Sequence, residues 1–134
     1  MKYLLDTDIC SYLMRNDDAV WTRLQKVAED SAAMSVVTQG ELRHGLARQP
    51  KATRLRSRLE ALNAGIPTLE LTSEAAVLYG ELRAHLERKG TPIGPNDLWI
   101  AAHALAIDAV LVSNNTNEYS RVPKLRLENW LASR

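Results

Sequence analysis

Lys2-Tyr3-Leu4-Leu5-Asp6-Thr7-Asp8 is a short apolar run that ends abruptly in acid. It is too short for a helix and reads as a buried strand with a polar residue at its C-terminal tip. Residues 9–14 then read as a short helix, with Asp6 to Asp8 around its N-terminus. The same alternation recurs along the chain. Asp17-Asp18 caps a second helix, whose Val20, Leu24 and Val27 share one face. Residues 33–36 suggest a second strand, and residues 38–47 a helix that Pro50 ends. Leu55, Leu59 and Leu62 give helical spacing over residues 51–62, and residues 69–71 form a short strand.

The longest helix is expected over residues 73–89, burying Ala75, Tyr79, Leu82 and Leu86, with Gly90 as its stop. Pro95 suits the first turn of a helix running to about Ile107. That segment is apolar nearly all round and should lie deep in the core. Residues 110–112 read as a strand, and residues 125–130 as a last edge strand. Short apolar strands alternating with helices imply βαβ units. The fold class is therefore α/β, a three-layer sandwich with a central, mostly parallel sheet and helices on both faces. Such sheets bind ligands at the carboxyl ends of their strands.

The bulk composition narrows the function. A length of 134 residues fits a single domain, 1–134. Hydrophobic residues at 46% and charged residues at 25% exclude disorder and coiled coil. With 17 basic against 16 acidic residues, the net charge of +1 gives no global nucleic-acid footprint, so contact with an anionic polymer must come from local patches. Cys10 is the one cysteine, which excludes an internal disulfide, suits a reducing compartment and reads as a small core residue. Acid at Asp6 comes too early for a secretion signal, and no apolar run could span a bilayer. A cytoplasmic protein is expected.

The strand-end rule gathers acids from distant segments. Asp6 and Asp8 follow the first strand, and Glu41 falls in the first turn of the helix after the second strand. Asp97 lies in the first turn of the most buried helix. Ser113, Asn114 and Asn115 follow the strand at 110–112, with Glu118 just beyond. Clustered carboxylates repel one another and are costly to bury without a cation. A hard divalent ion resolves this, and can polarise a phosphoryl oxygen and acidify a water. Each acid also has a purely structural role open to it. Asp6 or Asp8 can cap a helix, Thr38-x-x-Glu41 matches a capping box, and Asp97 suits the positive end of a helix dipole. It is the joint position of the acids that favours chemistry.

Other residues carry less. Lys51, Arg54 and Arg58 form a basic stripe that could meet RNA phosphates or simply be a solvated face. His44, His85 and His103 show no ligand spacing and read as packed or exposed side chains. Trp21 suits either the core or a partner groove, while Trp99 and Trp130 suit the core.

Residues 4–8 (LLDTD), 38–42 (TQGEL), 94–104 (GPNDLWIAAHA) and 112–119 (VSNNTNEY), in that order, closely resemble the PIN-domain ribonucleases. The resemblance is specifically to VapC-type toxins of VapBC toxin–antitoxin pairs. Residues 88–95 and 121–130 match that subgroup too, so the resemblance spans essentially the whole chain. It implies a PIN fold and a Mg²⁺- or Mn²⁺-dependent endoribonuclease. It also implies a VapB-type antitoxin that obstructs the site, and a homodimer that meets DNA only through that antitoxin. Related toxins cut structured RNA, often tRNA, at single-stranded loops. Asp6 and Asp97 match the main metal-binding acids and Glu41 the third acid. Many PIN domains carry an acid where Asn115 stands, and Glu118 matches the acid a little further on. Catalysis is therefore assigned to Asp6, Glu41, Asp97 and Glu118, metal binding to Asp6, Asp97, Glu41 and Asn115, and support to Asp8 and Ser113.

Two other readings stand beside this one. Asp6-Thr7-Asp8 after an apolar strand also resembles the nucleophile loop of haloacid-dehalogenase-type phosphatases, although the chain is short and lacks a Gly-Asp-x-x-x-Asp motif. A non-catalytic binding or co-repressor module could also keep the fold.

Overall fold

The computed structural model describes residues 2–131; Met1 and residues 132–134, the ends of the expected domain, lie outside the described residues. The acid-tipped run forms strand β1 (Lys2–Leu5). It is joined by β2 (Ala32–Ser35), β3 (Thr68–Leu69), β4 (Ala109–Val112) and β5 (Leu127–Glu128). Their order in the sheet is β3-β2-β1-β4-β5, and every pairing is parallel. The chain crosses from β1 to β2 on one side and later to β4 on the other. Strand order therefore reverses at β1, which makes its carboxyl end the switch point where ligands bind in open parallel sheets.

Alternation along the strands builds a core on each face. Leu5 is in register with Met34 and Val112, and all three enter one apolar cluster. Leu4 and Leu111 point the other way into a second. The first face is covered by α1 (Thr7–Met14), α2 (Asp18–Gln25) and α4 (Thr53–Gly65), which contribute Ile9, Leu13, Val20, Leu59 and Leu62. Helix α3 (Val36–Ala47) adds Leu42 and Leu46. The second face is covered by α5 (Ser73–Arg88) and α6 (Pro95–Ala106), with Tyr119 from the short α7 (Thr116–Tyr119). Leu98 and the run from Ile100 to Ala104 are buried, as the nearly all-apolar helix required. Cys10 and Trp130 are buried as expected.

Several local expectations need correction. Val36 reads as the end of the second strand, but the Ser35 hydroxyl accepts the Val37 N–H at 3.1 Å and starts α3 at Val36. The N-cap is thus Ser35, the Thr38-x-x-Glu41 capping box is not used, and Glu41 falls in the second turn rather than the first. The third strand is Thr68–Leu69, one residue earlier than expected, because Met34 and Ser35 set its register. Lys51 precedes α4 rather than joining Arg54 and Arg58 on it. Trp99 is half-buried, stacked on Tyr79 with ring centroids 3.9 Å apart, instead of sitting in the core.

Candidate active site

Asp6 is the residue where β1 turns into α1. Its carboxylate accepts the Ile9 N–H at 3.0 Å, so it caps the helix, and it is 4% exposed. Capping does not exhaust it. Burial pushes its carboxyl up to about 7, helped by repulsion from Asp8 and Asp97, against the hydrogen bonds from Ser113 and Ile9. A residue needed only as a cap is ordinarily solvated and ionised. Ser113, at the tip of β4, is buried and also accepts the Asn115 N–H at 2.9 Å.

Asp97 enters from the first turn of α6. Burial pushes it up to about 6, and sharing a hydrogen bond with Glu118 pushes it further in the same direction. The Tyr119 hydroxyl donates to its Oδ1 at 3.1 Å and opposes the shift. Burial raises Glu118 too, but the Gly94 N–H at 3.1 Å, Asp97, the Asn115 amide at 3.3 Å and the charge of Arg121 outweigh it and hold Glu118 low. The pair thus keeps its shared proton on the Asp97 side.

Glu41 approaches from α3. The Thr7 hydroxyl donates to its Oε1, and the Asn96 amide approaches Oε2 at 3.4 Å. Thr7 and Asn96 flank Asp6 and Asp97 in sequence, so the same two turns that carry those acids aim Glu41 at them. Asp97 also feels the Glu41 charge. Asp8 is exposed on the rim. The structure thus joins Asp6, Asp8, Glu41, Asp97, Ser113, Asn115 and Glu118 through contacts or direct electrostatic influence. Lys51, Arg54 and Arg58 are not part of that network among the described residues. Arg58 instead lines a cavity with Leu13, Met14 and Trp21 on the α4 side.

The reading of the sequence assigned no role to Thr7 or Tyr119, although both lie within the motifs that revealed the family. Tyr119 is fully buried, and a buried hydroxyl must find a partner. Removing it should tell. Tyr119→Phe is expected to raise Asp97 further, moving the acid limb of the pH–rate profile for cleavage up by about one unit while the fold persists. The check is kcat/KM across pH 5 to 9. His103 lies beneath the site, buried, with Nδ1 at 2.9 Å from the Ser35 hydroxyl. Burial lowers it, so it stays neutral and ties α6, which carries Asp97, to the cap of α3, which carries Glu41.

Among the described residues no lysine or arginine is ion-paired with Asp6, Glu41, Asp97 or Glu118. The donor set is all oxygen, crowded and short of positive charge, which is the chemistry of a hard divalent cation. No three ligand-type side chains among the described residues converge tightly enough to enclose an ion alone. A divalent ion held by one or two carboxylates and completing its shell with waters is compatible with that spacing.

A parallel sheet with acids at its switch point is the architecture of a metal-assisted phosphoryl or phosphodiester enzyme, and the family match decides which kind. The PIN domain model matches residues 3–125, and the chain belongs to the PIN-domain family. PIN-domain nucleases generally depend on divalent metal. Within the family the chain resembles VapC proteins over its whole length. It is 39% identical to ribonuclease VapC2 of Rickettsia felis, covering 97% of this chain and 98% of that one. It is 35% identical to the tRNA(fMet)-specific endonuclease VapC of Shigella flexneri, over 97% and 98% of the two chains. The structure of VapBC2 from Rickettsia felis, bound to a fragment of promoter DNA, contains a chain with a TM-score of 0.92 and 38% identity, covering 97% of this chain and 99% of that one.

Proposed function

We propose that the protein is a VapC-type toxin, a Mg²⁺- or Mn²⁺-dependent endoribonuclease that cuts structured RNA at single-stranded loops, with tRNA the leading substrate. The observation that carries the reading is the group of acids around Asp6 and Asp97, both held above the usual carboxylate range with no basic ion-pair partner among the described residues. A divalent ion bound there would supply charge neutralisation at the phosphodiester and acidify a water. Asp6 and Asp97 would hold it, and Asn115 would contribute its amide oxygen. Glu41, fixed at Oε1 by Thr7, orients the attacking water and takes its proton. Glu118 governs the proton shared with Asp97. Ser113 supports Asp6 through its hydrogen bond, and Asp8 adds negative charge at the rim that a cation would offset.

Regulation follows the same kinship. A VapB-type antitoxin is the partner, and DNA is reached only through it. An apolar cavity of about 320 Å³ lined by Trp21, Leu24, Val27 and Ile66 supports a protein partner there, and Trp21 is 36% exposed at its edge. We further assign a homodimer and a cytoplasmic location; no helix among the described residues is long and apolar enough to cross a membrane. Membership of the PIN family removes the phosphatase reading.

The substrate assignment is tested by exposing total cellular RNA to partner-free protein and sequencing the new ends. Cuts confined to one loop of one or a few tRNAs support it. Cuts scattered over all single-stranded RNA refute the tRNA assignment but leave the nuclease standing.

A further inference from the structure

A groove of about 510 Å³ runs away from the acids between α1 and α3. Asp8, Ser11, Tyr12 and Arg15 recur at helical spacing and form the α1 wall, while Glu41 and Gly45 form the α3 wall. Its volume lies within the roughly 300–1,000 Å³ range of ligand pockets. The groove and the active site share Asp8, Glu41 and Thr7, so the groove is a continuous path for a strand whose phosphodiester reaches the acids.

Two features shape its walls, one of them built on Tyr12, which is also packed in part against the apolar core of the first face. Gly45 sits inside a helix, where glycine costs stability relative to alanine, yet a Cβ added there would meet nothing within 4 Å. With no side chain at Gly45, that stretch of the α3 wall is open. Opposite, the Arg15 guanidinium lies over the Tyr12 ring, 4.6 Å from its centroid. Arg15 has no ion-pair partner among the described residues.

We propose that this groove is a nucleotide subsite for the residue next to the scissile phosphodiester. The base stacks on the Tyr12–Arg15 pair in the space left by Gly45, and the Arg15 charge meets the next phosphate. An aromatic face backed by guanidinium is a platform for a single-stranded base, and the Arg15 cation at the far end complements a backbone whose near end a cation held by the acids would engage. This rests on the ribonuclease reading and adds to it the determinant of which nucleotide is accepted.

The test uses a fluorescent RNA oligonucleotide spanning the mapped cut, or a short tRNA-loop oligonucleotide if no cut is found. A second copy is abasic at the flanking position. Cleavage is measured with Mg²⁺, and binding by anisotropy with chelator. The abasic change should weaken binding and cleavage by wild type about tenfold, the worth of one base stacked on an aromatic side chain. Tyr12→Ala and Gly45→Leu should lose about as much on the intact RNA and then be indifferent to the abasic change. Tyr12→Phe should behave as wild type. Gly45→Leu fills the groove without a cost in helix propensity, and an unchanged Tm separates its loss from unfolding.

Full binding and cutting of intact RNA by both variants would overturn the subsite. Losses that simply multiply with the abasic loss would overturn it too. If wild type neither binds nor cuts either RNA, the ribonuclease reading falls and takes the subsite with it. If wild type binds without cutting, the binding cycle alone decides.

Discussion

Asp6→Asn is expected to lose cleavage by at least about a thousandfold and yet to make the metal-free protein more stable at pH 8. The two effects have one cause. Asp6 is nearly fully buried and its carboxyl is pushed up to about 7, from an ordinary value of 3.8. Keeping it ionised in the fold above pH 7 costs about 4 kcal/mol relative to the unfolded chain, as an upper figure. Asparagine caps α1 as well as aspartate does, so the Ile9 hydrogen bond survives while the charge is gone. A Tm rise of about 5 °C or more is expected without metal, together with loss of any shift on adding Mg²⁺. Scanning calorimetry of both proteins at pH 8 checks it. A marked fall in Tm would mean that Asp6 is chiefly a structural cap.

The second large effect is a pH dependence of stability that divalent metal reduces. Asp6, at about 7, stands above its unfolded value, so the native state binds more protons between about pH 4 and 7. Stability must then fall as pH rises through that window and level off above it. Asp97, at about 6, acts in the same direction, its contribution reduced by its exposure to solvent. Glu118 is held low and opposes them on acidification, but it is also partly exposed and its contribution is small. The metal-free protein should therefore be more stable at pH 5.5 than at pH 8, by about 2 kcal/mol or more in urea unfolding. Mg²⁺ at about ten times its Kd should restore about 1.4 kcal/mol at pH 8 and very little at pH 5.5, where protons occupy the carboxylates. A flat profile that Mg²⁺ leaves unchanged would contradict the description of the site.

Much of this site was legible because its determinants are local. Asp6 at a strand tip, Asp97 after Pro95 and Ser113 after a valine-rich run are each placed by neighbours a few residues away, and the strand-end rule then brings them together. Glu41 was found for a partly wrong reason, since its helix starts at Ser35 through a hydrogen bond that overrides the strand preference of Val36. What stayed hidden depends on distant pairing. Thr7 meets Glu41 across 34 positions and Tyr119 meets Asp97 across 22, and neither contact leaves a periodic trace. The two-residue strands β3 and β5 owe their extent to β2 and β4, and α7 is too short to show a helical repeat. Gly45 reads as a helix weakness until the open groove beside it is seen.

The most direct measurement of the central claim is RNA cleavage by purified, partner-free protein with Mg²⁺, with Mn²⁺ and with chelator, beside Asp97→Asn. Discrete fragments that appear only with metal, and that fall at least about a hundredfold in the variant, are the predicted result. Fragments of equal yield in chelator or from Asp97→Asn would contradict it, as would intact RNA from a folded wild-type protein that binds Mg²⁺.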